Sequence, residues 1–239
     1  MTTIIKNENL QLIKEGNKYI IEFETATEAN AAILRSLTRT RIIQGATLSR
    51  DYLCLKFQAQ TVITLEEFLL TNKPKITQIA IILQTLAEQL NYLIQYESKT
   101  ILGFNRCHIL MINNSTPAFL GLQLVADIKE RESSDLATIC GLFDTKDFFA
   151  APELMKIKRL PAQVNYKVSY FSLACLIIYL LLGSDEFYAN NTDNTNNTDY
   201  NKESILKYLD THPIKDTKLY WLLSRCLNEE PNKRSIIFI

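Results

Sequence analysis

The sequence predicts an α+β chain of two unequal lobes, and three observations carry that expectation. Apolar residues alternate on either side of Gly16 across residues 10–24, the period-two pattern of strands. From Ile76 to Leu93 they recur every third or fourth residue (Ile76, Ile79, Leu83, Leu86, Leu90, Leu93), the pattern of an amphipathic helix. From Val168 to Gly183 there is no charge at all, as in a helix buried on every side. A small strand-rich part with one helix would thus be followed by a larger, mainly helical part.

In chain order, residues 10–24 read as two short strands joined by a Glu15-Gly16-Asn17 turn. Thr25 and Glu28 have the spacing of a capping box, and Ala29, Ile33 and Leu37 then share one helical face. Two further short strands are expected at 41–46 and 52–57. The segment TLEEFLL, residues 64–70, reads as a short helix, and 76–96 as the long one. Short β-type runs fall at 109–112 and 118–126, and residues 127–149 are polar and irregular. The remainder is helical at 168–182, 203–209 and 217–227. Residues 190–201, NNTDNTNNTDYN, are too polar to pack and are expected to form a disordered loop.

Composition excludes several classes. Lysine plus arginine and aspartate plus glutamate number 26 each, so no net field draws the chain to nucleic acid or an anionic membrane. Arg35, Arg39, Arg41 and Arg50 read as a solvated helix end rather than a basic patch. The five cysteines are scattered and form no C-x-x-C pair, which fits neither a zinc site nor a disulfide framework. No basic segment followed by an apolar run opens the sequence, so a cytoplasmic or nuclear, non-secreted protein is expected. The run 168–183 is shorter than the ~20 residues a membrane span needs, so it reads as core.

Three segments, in order, carry a resemblance to a known family. They are Ala151-Pro152-Glu153, the buried run KVSYFSLACLIIYLLLG (167–183), and LLSRCLNEEPNKRS (222–235), which contains Arg234. The first resembles the motif ending the activation segment of eukaryotic-type protein kinases, the second their central buried helix, and the third their penultimate helix and terminal arginine. Residues 41–58 resemble the last two strands of the kinase small lobe, with a hinge near 58–62. The resemblance implies a protein-kinase-like bilobal fold, with a reduced N-lobe over 1–60 and a mainly helical C-lobe over 61–239. It also implies a buried ion pair between Glu153 and Arg234.

The residues that phosphoryl transfer requires are missing from the matching positions. A kinase needs a glycine-rich phosphate cradle, a lysine on the phosphates, oxygen ligands for magnesium and a catalytic aspartate. Gly16 is the sole glycine before Gly45, and no lysine occurs from Tyr19 through Leu55. The helical glutamate would fall near Asn30. Aligning HILM, residues 108–111, with the strand after the catalytic loop puts Gly103 at the catalytic aspartate and His108 at the metal-binding asparagine. No aspartate occurs from Tyr52 to Ala126, and only Glu97 offers a carboxylate between Gln89 and Ala126. Ser169 stands where kinases carry a loop-bracing aspartate. For the magnesium-binding motif two registers are open, one on Phe119-Leu120-Gly121 and one on Asp127-Ile128-Lys129, which would make Asp127 a metal candidate.

The expectation is a pseudokinase: an interaction or scaffold module with no catalytic residue, no cofactor and no metal, engaging a protein partner or larger assembly and neither nucleic acid nor membrane. The alternative is a divergent serine/threonine kinase or nucleotide-binding protein that uses ATP and Mg through Asp127, Lys18 and Glu28. The span of about 24 residues before the first helix argues against it as too short for three strands. Residues 18–33 also resemble the last strand and helix of an RNA-recognition domain, without the stacking aromatics such a domain needs.

Overall fold

The computed structural model describes residues 2–7, 9–129, 135–141, 149–183 and 202–236. Strands β1 (Thr2–Asn7), β2 (Leu10–Glu15) and β3 (Lys18–Phe23) form an antiparallel meander. Helix α1 (Glu28–Arg39) follows, then β4 (Thr47–Leu48) and β5 (Cys54–Gln58). The sheet runs β1-β2-β3-β5-β4. Gly16 takes φ +62 in the β2–β3 turn, a conformation that costs glycine no Cβ clash. Along β3, Tyr19, Ile21 and Phe23 are buried while Lys18 and Glu22 face solvent.

The first part is therefore not reduced: three strands, not two, precede α1, and the sheet has five. Strand β1 escapes sequence reading because TTIIKN does not alternate, and its register slips between Thr3 and Ile5. Residues 41–46 form no strand. Arg41 and Gly45 have φ of 59° and 66°, so the chain turns there, and the apolar signal comes from Ile42 and Ile43 dropping into the core. Helix α1 is capped by Thr27, whose hydroxyl oxygen accepts from the Asn30 amide at 3.1 Å. Thr25 contributes only its carbonyl, to the Asn30 side chain at 2.6 Å, so the expected Thr25–Glu28 box is absent.

After the joint come β6 (Val62–Thr64), α2 (Leu65–Thr71), α3 (Ile76–Glu97), β7 (Lys99–Ile101) and β8 (Gly103–Phe104). A capping box between Thr64 and Glu67 opens α2. Next lie β9 (Ile109–Ile112), β10 (Thr116–Phe119), β11 (Val125–Ile128), β12 (Leu136–Ile139) and β13 (Phe149–Ala150). The chain closes with α4 (Pro152–Met155), β14 (Ala162–Asn165), α5 (Val168–Leu182), α6 (Lys202–Thr211) and α7 (Lys218–Cys226). The expectation of a mainly helical second part is overturned. Three more antiparallel sheets lie there among the described residues, ordered β10-β9-β6, β14-β12-β11-β7 and β13-β8. Their strands are two to four residues long, too short to register as a period. The architecture is mixed α+β with four small antiparallel sheets. The expected loop at 190–201 lies outside the described residues.

Helix α5 is buried almost all round, with Leu181 alone half-exposed. No helix of the described residues is long and apolar enough to cross a membrane. One apolar core takes in the five-stranded sheet, α1, α3 and α5 together. The joint between β5 and β6 is pinned from both sides. Ala59 donates to the Asn17 carbonyl at 3.1 Å, and the Asn113 side-chain oxygen accepts from Gln60 at 2.7 Å and Thr61 at 3.3 Å. Asn113 and Asn114, at φ 52° and 56°, make the β9–β10 hairpin turn that places this oxygen.

Two polar links fix α1 against the rest. Gln89, fully buried on α3, donates to the Ser36 hydroxyl at 3.0 Å and to the Phe119 carbonyl at 3.0 Å, and accepts from the Phe119 amide at 2.9 Å. Arg35 grips Glu97 with a two-pronged fork, Nε to Oε1 at 2.8 Å and Nη2 to Oε2 at 2.6 Å. Gln89→Leu fills the same space but strands the buried Phe119 amide and carbonyl, each worth ~1–3 kcal/mol. The expected result in urea unfolding is a midpoint lowered accordingly with unchanged slope; an unchanged midpoint would show that the Gln89 bonds contribute nothing net to stability.

Candidate functional site

Between the five-stranded sheet and the segment joining β7 to β11 lies a cleft of about 480 Å³. Its roof is Ile5 from β1, Asn9 from the β1–β2 turn and Leu10 at the start of β2. Its floor is Cys107, His108, Leu110 and residues 120–123. Backbone bonds build that floor. Leu102 donates to the Leu124 carbonyl at 2.7 Å, and Leu120 to the His108 carbonyl at 2.8 Å. Gly103 and Phe104 pair with Ala150 and Phe149. Asn105 caps a 3-10 turn over Arg106–His108 by accepting from the Cys107 amide at 2.8 Å.

Side chains from two helices brace the turn. Ser172 on α5 accepts from the Phe104 amide at 2.9 Å and donates to the Phe149 carbonyl. The Arg106 guanidinium donates to the Tyr179 hydroxyl and lies 4.8 Å over that ring. Cys107 donates its thiol to Glu66 on α2 at 2.9 Å, and Glu66 is 3.7 Å from Arg106. Gly121 is a steric requirement: a Cβ there would stand 2.6 Å from the Phe119 ring and 2.9 Å from His108 Nδ1.

Among the described residues, no carboxylate, lysine or arginine lines this cleft. Gly103 is buried in the β8–β13 ladder, and His108 sits on the floor. The β9–β10 hairpin ends at Phe119, so the segment that follows it is Leu120-Gly121-Leu122, and Asp127 lies well beyond, in β11. Its side chain is largely exposed and pairs with Lys99 at 2.5 Å, outside the cleft lining. Lys18 begins β3 opposite Gln58. Glu28 pairs with Arg35 at 2.5 Å, and Glu28 and Asp127 share a separate polar groove with Glu97 and Lys129. Lys18 borders neither, so the three residues of the divergent-kinase reading do not converge. A nucleoside triphosphate with magnesium demands cations on the phosphates and oxygen ligands on the metal, and the described lining supplies no lysine, arginine or carboxylate. No group of three or more His, Cys, Asp or Glu among the described residues could hold a metal.

Asn30, near the position of the kinase helical glutamate, is buried and engaged in the α1 cap. Ser169 donates to the Tyr166 carbonyl at 2.9 Å, so the loop brace is Ser172, one helical turn on. Sequence reasoning missed Ser172, Gln89 and Arg35. A serine and a glutamine inside otherwise apolar helical faces were the available signals. Tyr19 and Phe23 are buried in the core and offer no stacking platform for RNA.

The structure brings Glu153 and Arg234 together. Arg234 Nη1 donates to Glu153 Oε1 at 2.5 Å and Nη2 to Oε2 at 3.1 Å. Arg234 is 1% exposed, lies 5.0 Å over the Phe171 ring, and also donates to the carbonyls of Asn228, Lys167 and Glu229. Elsewhere, Glu97 hydrogen bonding raises the pKa of Arg35 above its ordinary value, against burial, with Glu28 adding to it. Burial pushes the Cys175 thiol up and that of Cys226 to about 12, so neither is a thiolate at neutral pH. Compared with known families and curated proteins, the chain matches no family model and no curated relative.

Removing one partner of a buried ion pair costs ~3–5 kcal/mol, because the other charge is left behind. Glu153→Ala should therefore lower the thermal midpoint by roughly 6–20 °C at ~2–4 °C per kcal/mol. The double change Glu153→Leu with Arg234→Met should recover much of that loss. Midpoints within 2 °C of the parent for the single change would mean that the carbonyls alone satisfy Arg234.

Proposed function

We propose that this chain is a degenerate protein-kinase-like domain, a pseudokinase, that acts as an interaction or scaffold module and not by phosphoryl transfer. The observation that carries the reading is the cleft lining: Ile5, Leu10, Leu110, Leu120 and Leu122 with Asn9, Cys107, His108, Gly121 and Gln123, and no carboxylate, lysine or arginine among the described residues. Transfer of a phosphoryl group is almost entirely charge stabilisation and positioning, and the described lining offers no carboxylate, lysine or arginine for it.

Features that hold shape support the same reading. The Glu153–Arg234 pair is the one the kinase resemblance implies at those positions, and it anchors α4 to the segment after α7. Ser172 and Arg106 brace residues 103–108, the segment that the kinase resemblance aligns with the catalytic aspartate and the metal-binding asparagine. Helix α1 is held by Gln89 and Arg35 in one position. A module whose loop and helix are fixed presents a constant surface, the property a partner protein or assembly needs. No disulfide joins the five cysteines, which agrees with a reducing compartment, the cytosol or nucleus.

The test is a thermal melt with and without millimolar Mg-ATP. Ligand at 100 times its dissociation constant stabilises by ~2.7 kcal/mol, or roughly 5–10 °C here. The proposal expects no change in midpoint; a rise of that size would overturn it and return the chain to the nucleotide-binding proteins.

A further inference from the structure

We propose that the cleft under β1 and β2 is a binding site for an uncharged, largely apolar small molecule carrying one or two hydrogen-bonding groups. This rests on the non-catalytic reading above, since it takes the cleft to have no phosphate-bearing occupant. Its volume of about 480 Å³ lies within the ~300–1,000 Å³ of small-molecule sites. Such sites are walled by apolar side chains with a few polar groups that orient the ligand.

The walls here have that composition. Ile5 and Leu10 from the roof face a floor of Leu110, Leu120 and Leu122, and of these Leu10, Leu110 and Leu120 are buried. Two primary amides, Asn9 of the roof and Gln123 of the floor, also line it, and both are exposed. Each amide carries a donor and an acceptor, so a carbonyl, hydroxyl or ring nitrogen at either end of a ligand finds a partner. An ionised ligand would be desolvated against leucine with no counter-charge from the described walls, which is unfavourable.

The cavity is also maintained by construction. Gly121 lines it, and no side chain fits there without striking Phe119 and His108. His108 is fixed by the Asn105 cap and by the Leu120 bond to its carbonyl. The floor thus has little freedom to collapse and fill the space, unlike the surface around an isolated exposed leucine such as Leu70.

The experiment is a fluorescence titration of the full chain with N-phenyl-1-naphthylamine, an uncharged apolar probe, repeated in the presence of millimolar Mg-ATP. The expected result is saturable enhancement at one probe per chain, unaltered by Mg-ATP. Leu122→Arg places a guanidinium at the half-exposed side of the cleft and should weaken the probe by about tenfold or more. Leu70→Arg, on a remote exposed leucine, should change nothing; an unchanged melting midpoint shows that either variant is folded. Enhancement that does not saturate, or that Leu122→Arg leaves intact, overturns the proposal. Such a result leaves the non-catalytic reading standing, because only displacement of the probe by Mg-ATP, with the matching thermal shift, would overturn both.

Discussion

The rest of the structure depends on one buried cation. Arg234 has no solvent to hydrate it, so every donor must find an acceptor within the fold. Glu153 supplies two oxygens, and the carbonyls of Asn228, Lys167 and Glu229 supply the remainder. Those acceptors come from α4, from the start of α5 and from the turn after α7. Three segments far apart in sequence are thereby required to meet at one point, and the Phe171 ring closes the site from α5.

The same logic explains where the other charges went. The chain has as many acidic residues as basic ones, yet among the described residues no carboxylate lines the cleft, and three carboxylates join elements to one another. Glu97 holds α1 through Arg35, Asp127 pairs across β11 and β7 with Lys99, and Glu66 meets Arg106 between α2 and the 3-10 turn. These are unequal in weight. The Glu97 fork is partly buried and bidentate, while the pair of Glu66 at 3.7 Å is solvated and contributes ~0–1 kcal/mol. Electrostatics here fixes the relative placement of elements, and the cleft between them is left to apolar side chains.

Legibility followed period length and burial. Helix α3 and helix α5 were readable because 22 and 15 residues give several turns of periodicity or an unbroken apolar run. The Glu153 and Arg234 positions were readable only through a resemblance, since nothing in local pattern joins residues 81 apart. Strand β1 and the short strands β7, β8 and β11 to β14 were not, because runs of two to six residues without alternation carry no period. The mistaken strand at 41–46 shows the converse, two adjacent isoleucines entering the core from a turn. Within the candidate site, the glycine at 103 and the histidine at 108, where a kinase carries aspartate and asparagine, were visible in the sequence. The braces Ser172 and Gln89 were not, since a single polar residue on an apolar helix looks the same whether it bonds its own backbone or a neighbouring loop.

The central claim is that shape is held while phosphoryl chemistry is gone. Its most direct test is a phosphoryl-transfer and hydrolysis assay with γ-labelled ATP, magnesium or manganese, and a generic protein substrate. The account predicts neither labelled protein nor released phosphate above a buffer blank. Turnover proportional to the amount of chain, and abolished by Asp127→Ala, would contradict it.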